Sequence, residues 1–406
     1  KPYIEFHDGN LICRAVDPST NSRTPIDSVV LYNTGGIYDP TLQKWDGRNG
    51  RLDWVKVGLP AGETYAELKR YSVSFKASDL RADSVMLKTP FFKDLIQGRI
   101  ADKAQKIIRK EDKQYPQFTS YNTNLVINNL KPNVDYKGGF ALTGAKFFGA
   151  GNQSSMAQVV LKKNNKPFIT AFANEIFITD DKIYASNSRI SIKLATGDSI
   201  VHPGLSYDYF FNDGLVNFTR TNSGSGQAPF RDSYMKVEYY VPKLQVNEKE
   251  QKLYLTYDKG MSQEQRIARV ESFDYFDIKV YEQMNGISSL NPLVALDKFT
   301  YDYDEFFITE GKCATALGGT LREVKPLMLQ LANEGFITYD TEAGMVNINP
   351  KVTNFVKARY GKKDYDNISF ITDLKPKEFR GYTAEEIKEN PALQDLIAQS
   401  KEINLR

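Results

Sequence analysis

From Tyr3 to about Thr256 the apolar residues of this chain recur at every second position, and that period constrains the fold more than any other feature. Val73 and Phe75, Leu125 and Ile127, Ile176 and Ile178, and Ile190, Ile192 and Leu194 each fall on one face of an extended backbone. A helix would scatter them. Turn chemistry separates the runs: Asn164 with Asn165, Asp180 with Asp181, Thr196 with Gly197 and Asp198, and Asn212 with Asp213 and Gly214. Strands repeating at roughly 10 to 14 residues imply a sandwich, a barrel or a solenoid. The 24 Tyr and 24 Phe, against only 2 Trp and 2 His, agree with strands, because these rings suit a pleated, half-buried surface.

The stretch 157–220 is the cleanest, each strand-turn-strand unit leading into another of similar length, so that a stacked sheet can grow without helices. Asp followed by Ser recurs at Asp27, Asp83, Asp198 and Asp232, and is read as turn closure ahead of a strand. Residues 101–113, mostly charged, and 221–226, rich in Gly and Ser, are read as solvated connections. After about Arg269 the period becomes helical. Asn291 before Pro292 opens a segment with Leu293, Leu296 and Phe299 on one side; a second helical segment is read over 307–318; Thr320 with Glu323 forms a capping box ahead of Leu321, Val324, Leu327, Met328 and Leu331; and Gly335 supplies a stop. Residues 336–350 alternate about a turn at 341–344, which predicts a hairpin. Pro326, six positions beyond the cap, argues against this helix unless it starts later.

The fold class expected is therefore mainly β, a stacked antiparallel sheet, sandwich or solenoid of jellyroll style, with a C-terminal α+β winged-helix-like module. The expected divisions are 1–130 and 131–268 as β-rich regions, 269–360 as the helical module, and 361–406 as a charged extension. A net charge of +3, from 53 basic and 50 acidic residues, gives no field that would single out nucleic acid or an anionic surface as partner. Cys13 and Cys313, 300 residues apart, are read as free thiols. No apolar run reaches the roughly 18 to 20 residues of a membrane-spanning helix. The chain starts at Lys1 without a signal pattern and ends in a Lys/Glu-rich stretch, as expected of an exported protein whose signal has been removed or of a piece of a longer one.

Catalytic and metal sites need clustered ligands, and the histidines are His7 and His202 alone. No HxH, HExxH, CxxC or GxSxG pattern occurs, so no catalytic, cofactor-binding or metal-binding residue is assigned, and both histidines are read as structural or solvent-facing. The Gly-rich stretch 144–151 lacks the Lys-Ser/Thr and the βαβ setting of a phosphate cradle, and reads as tight strand turns. Asp302, Asp304 and Glu305 lack the central glycine and distal glutamate of a calcium loop, and read as a helix-to-loop junction. In a groove-reading winged helix, the helix over 321–334 would carry Arg322 and Lys325 toward DNA. With Glu323 and Glu334 beside them and no cation in the 341–344 turn, nucleic acid is disfavoured.

Several segments resemble a group of very large, uncharacterised Bacteroidota cell-envelope proteins: RLDWVKVGLPAGETYAELKRY at 51–71, DYKGGFALTGAKFFGAG at 135–151, GDSIVHPGLSYDY at 197–209, EQMNGISSLNPLVAL at 282–296, LREVKPLMLQLANEGFITYD at 321–340 and YGKKDYDNISF at 360–370. The resemblance implies an internal portion of a longer polypeptide in the periplasm or at the cell surface, with other envelope proteins or a membrane-protein complex as partners. It carries no catalytic residue and no cofactor. The alternating segments also share the style of the β-jellyroll repeats of lipopolysaccharide-transport bridges. The expected function is thus a non-enzymatic scaffold of the envelope; the alternatives are a lipid or glycolipid conduit, with Val160, Phe168, Phe177, Ile192 and Tyr207 lining an open groove, and a DNA-binding winged helix.

Overall fold

A computed structural model describes residues 2–16, 25–105, 114–151, 155–179, 181–221, 224–249, 252–258, 260–284, 290–341 and 343–374. The chain is mainly β, with antiparallel sheet throughout and five α-helices among the described residues. It divides into two compact units, 1–159 with 174–180, and 160–173 with 181–406. Of the connection expected at 101–113, residues 101–103 instead end the strand Ile96–Lys103, with Asp102 buried, and 106–113 lie outside the described residues, as do the Asp180 half of one turn, part of the 221–226 stretch and the chain from 375 onward.

In the first unit the strand Asp79–Lys88 pairs on one side with Ile96–Lys103 and forks on the other, to Arg70–Ser74 at its start and Tyr65–Glu67 at its end. Val134–Thr143 forks likewise, to Leu125–Lys131 and Gln117–Ser120. Such forks require bent strands; a bulge sits at the bend of Asp79–Lys88, and another interrupts Leu125–Lys131, the partner of Val134–Thr143. The register against Ile96–Lys103 shifts beside Ser84, which has left-handed φ of 56°, and that against Val134–Thr143 shifts beside Asn129, at 53°. Asp83 with Ser84 is therefore a bulge inside a strand, not the turn ahead of one that the sequence suggests. Asp198 with Ser199, in the second unit, does precede a strand. The interior of the first unit is closed by Trp54, Leu80, Val85, Phe118, Tyr136 and Phe140, all at 1% exposure or less.

The second unit is organised by Ser199–Phe210. One edge of this strand pairs with Lys182–Lys193, bent at Asn187 with φ of 55°. The other edge forks: its start joins Phe230–Asp232, then Val237–Tyr240, Ile267–Ser272 and Ser369–Asp373, while its end joins Leu215–Thr219, Lys243–Asn247 and Lys252–Thr256. Ser369–Asp373 lies within the stretch read as a charged extension, yet it closes an edge of the sheet. The turn at Asn164 and Asn165, with φ of 51° and 59°, forms as expected. Of the five positions named as groove lining, Phe168, Ile192 and Tyr207 are buried. Val160 and Phe177 are half-buried, because Val159 with Leu161 and Ile176 with Ile178 occupy the inward phase of their strands.

The helices of this unit are α1 (Ile278–Gln283), α2 (Pro292–Tyr303), α3 (Glu310–Ala316), α4 (Leu321–Asn333) and α5 (Pro350–Arg359), and a strand Phe307–Thr309 precedes α3. The hairpin Ile337–Asp340 with Met345–Ile348 follows α4, and Phe307–Thr309 pairs with its second strand. Glu323 accepts from both the Thr320 amide, at 2.9 Å, and its hydroxyl, at 2.6 Å, which anchors the start of α4 where the Thr-x-x-Glu spacing puts it. Pro326 does not delay the helix. The amide it lacks would have served the carbonyl of Arg322, in an exposed first turn that water can reach. Gly335, at φ of 75°, ends α4, with the Phe336 amide donating to the Leu331 carbonyl. Leu296, Val324, Met328, Phe336, Val346 and Phe355 form the core beneath.

Both tryptophans, Trp45 and Trp54, are buried in the first unit, so their emission reports on it alone. Asp102 is buried there beside Lys56, 2.5 Å away; burial raises its carboxyl to about 6, Lys56 opposing and Asp27 adding. A carboxyl whose folded pKa lies above its unfolded value favours the folded state at low pH, and that contribution is lost as pH rises through about 6. Tryptophan-detected unfolding of the native chain should therefore lose on the order of 2 kcal/mol between pH 4 and pH 7 relative to Asp102→Asn. Parallel profiles for the two proteins would contradict this.

Candidate functional site

The alternation of Val237–Tyr240 puts Glu238 and Tyr240 on one face, and that of Ile267–Ser272 puts Arg269 and Glu271 on one face. Register merges the two: Glu238 stands opposite Glu271, Tyr240 opposite Arg269, and Arg231 of the neighbouring strand opposite Glu238. Charges in this pattern ordinarily face water. Here the end of α4 and the start of α5 cover them, leaving side-chain exposures of 1% for Glu238 and 3% for Glu271.

Lys351, in the first turn of α5, is the centre of the junction, and its side chain is 4% exposed. Its ammonium donates at 2.8 Å each to Glu238 Oε2, the Tyr240 hydroxyl and the Glu334 carbonyl, so every proton has an acceptor. Glu271 Oε2 lies 3.6 Å away. A cation in a first turn opposes the helix dipole, so the carboxylates hold this lysine and the helix does not. Arg269 donates to Glu334 Oε2 at 2.9 Å, approaches Glu271 Oε1 at 3.4 Å, and lies 4.0 Å over the Tyr240 ring. Arg231 Nε is 3.3 Å from Glu238 Oε1 but too poorly aligned for a hydrogen bond. Lys351, Arg269 and Arg231 thus balance Glu238, Glu271 and Glu334.

The surroundings act unequally on these groups. Burial raises the Glu271 carboxyl, with Lys351 and Arg269 opposing. Burial also lowers Arg269, but Glu334 and Glu271 outweigh it and hold the guanidinium above its ordinary range. Tyr240 is pushed well above ordinary phenols, by burial first and then by Glu238 and Glu271. At Gly335 a Cβ would stand 2.8 Å from Glu238 Oε2, so the residue that ends α4 also lets its backbone reach the carboxylate.

The residues singled out in the sequence lie elsewhere. His7 is exposed at the end of Ile4–Phe6. His202 is buried; its Nε2 meets the Ala228 carbonyl at 2.8 Å and its Nδ1 accepts from the Gly204 amide at 3.1 Å, the arrangement of a neutral ring. Burial, with Arg220 adding, pulls it down to about 3. Gly144 turns the chain, whereas Gly149 lies within Lys146–Ala150 and makes room for the Tyr136 ring. Asp304 caps α2 in a left-handed conformation, and Glu305 pairs with Lys312. Cys13 and Cys313 are free and buried, their thiols raised by burial to about 11 and about 12. Arg322 and Lys325 are exposed at the start of α4. At its other end Arg220 reaches Asn333 Oδ1 at 3.4 Å, and the turn Gly224–Gln227 lies against α4 and the hairpin. Among the described residues no group of three His, Cys, Asp or Glu is placed to hold a metal ion, and no helix is long and apolar enough to cross a membrane.

Lys351→Met leaves the carboxylates Glu238, Glu271 and Glu334, the first two of them buried, one cation short and should destabilise the second unit by roughly 3–5 kcal/mol. Circular dichroism in urea should show the loss while tryptophan emission does not. The deficit should shrink from pH 8 to pH 5 as the stranded carboxylates take up protons, and adding Glu238→Gln should recover part of it. A deficit under about 1 kcal/mol would mean the junction contributes little. Comparison with protein-family models, with curated proteins and with solved structures finds no match to this chain.

Proposed function

We propose that the protein is a non-enzymatic assembly component of a bacterial cell envelope, a scaffold that docks other proteins. The observation that carries the reading is the edge strand Ser369–Asp373. Among the described residues it pairs on one side only, with Ile267–Ser272, and it exposes Phe370 at 62% and Ile371 at 63% on its two faces, with Ile368 beside it at 73%. An open, apolar strand edge is a template for another strand, and natural proteins protect such edges unless a partner uses them. The occupant that fits is an extended segment of another protein with alternating apolar side chains. Placement in the periplasm or at the cell surface rests on the segment resemblance alone.

The other readings have less support. A lipid conduit needs an open apolar interior, but in the second unit Ile183, Ile192, Leu205, Tyr207, Phe218 and Leu244 are each buried at 1% exposure or less. The order α2, strand, α3, α4 and hairpin agrees with a winged helix, and we assign the module that arrangement. In it α4 would be the groove-reading helix, and the Gly224–Gln227 turn and Arg220 occupy its C-terminal half. The ammonium of Lys351 has no proton left for substrate, which argues for a structural clamp.

A photo-crosslinking residue in place of Ile371, in the native cells, should yield one discrete protein adduct. Phe370→Asp should abolish it without altering thermal unfolding, because the side chain is already largely exposed. An adduct with lipid or nucleic acid, or a protein adduct indifferent to Phe370→Asp, would overturn the proposal.

A further inference from the structure

A second feature of the same unit stands apart from the edge strand. Register places Phe172 opposite Arg189, Ser191 opposite Val201, and Val201 opposite Arg231, so these side chains share one sheet face across four strands. The hairpin of the helical module stands over that face, presenting Thr338 and Asn347, and between the two lies a half-open cavity of about 310 Å³. This is at the lower end of the size of small-molecule sites. Its lining is largely apolar, through Phe172, Val201, Pro203, Pro229 and Ile337, and its charges are two arginines with no carboxylate among the lining residues.

The two guanidiniums are differently placed. Arg189 lies 4.9 Å over the Phe172 ring and makes no ion pair among the described residues. Arg231 shares its charge with Glu238, yet its buried Nε is without a hydrogen bond. The roof is internally satisfied: Thr338 donates to Asn349 Oδ1 at 3.3 Å and Asn347 to the same oxygen at 3.0 Å, and Asn349 Nδ2 donates to the Gly335 carbonyl at 2.9 Å. What the cavity lacks is a carboxylate of its own for Arg189, Arg231 being shared with Glu238, and what it offers besides is apolar wall.

We propose that this cavity binds a small amphipathic carboxylate, whose anionic end meets Arg189 and Arg231 and whose apolar body lies on Phe172, Val201 and Pro229. A guanidinium already stacked on an aromatic ring is held in place for a planar carboxylate, so little freedom is lost when the ligand arrives. The apolar body separates this chemistry from that of a free inorganic anion. A phosphate ion would find the charge and waste the wall.

The test is calorimetric titration of the full chain at low salt with 4-phenylbutyrate, against the neutral 4-phenylbutanol and inorganic phosphate as comparators. The butyrate should bind saturably, one per chain. The alcohol and the phosphate should each bind at least about tenfold more weakly, the loss of one charge-assisted contact or of the apolar contact. Arg189→Met should weaken the butyrate by about tenfold or more and leave the alcohol unchanged. Val201→Trp, at a residue already 38% exposed, should block both. Each variant is to show the parent's thermal unfolding before titration. Equal affinity for acid and alcohol, butyrate binding indifferent to both substitutions, or no saturable binding at millimolar concentration would overturn the proposal.

Discussion

A lysine ammonium is held out of water only where each of its protons meets an acceptor and its charge meets an opposite one, and Lys351 satisfies both conditions with groups drawn from the sheet and from α4. The rest of the second unit follows from that. Glu238 and Glu271 are tolerable on a covered face because Lys351, Arg231 and Arg269 are there, and α5 tolerates a cation in its first turn because the carboxylates are there. Removing either side leaves the other as an uncompensated buried charge. The pairing is therefore less a source of net stability than a condition on where the helices sit: any other placement would strand ions, which is how buried polar groups select one arrangement among several apolar ones.

The β architecture shows a related economy of means. Forked strands such as Asp79–Lys88 and Ser199–Phe210 pair with two neighbours along one edge, and bulges near Ser84 and Asn187 supply the bend. The fork in the second unit separates the branch that carries the ionic face from the branch of Leu215–Thr219 and Lys243–Asn247, whose buried residues fill the interior. One long strand thus gives the same sheet a closed interior and a charged platform.

Local chemistry was readable from the sequence and long-range register was not. The strand period, the paired asparagines at 164 and 165, the Thr320–Glu323 cap and the Gly335 stop all form, because each depends on residues within a few positions. Asn187 and Ser84 were missed as bulges, since a left-handed residue inside a strand carries the same composition as a turn. The junction was missed for a different reason. Glu238, Arg269 and Glu271 alternate with apolar neighbours as solvent-facing residues do, and nothing local announces that α4 and α5 will cover them. The one available hint is the face shared by Glu238 and Tyr240 in a four-residue strand, which becomes informative only once Glu271 is known to stand opposite. The isolation of His202 in the sequence leaves a structural and a solvent-facing role open, and nothing local announces its burial.

The central claim is that sheet and helical module of the second unit form one cooperative body through the buried ions. Native-state hydrogen exchange tests it most directly, by comparing the amides of Val237–Tyr240 with those of Lys351 to Phe355 in α5. If the claim holds, both sets exchange with the same opening free energy and the same denaturant dependence. If α5 opens well before the strand, at a free energy several kcal/mol lower, the module is merely resting on the sheet and the account is wrong.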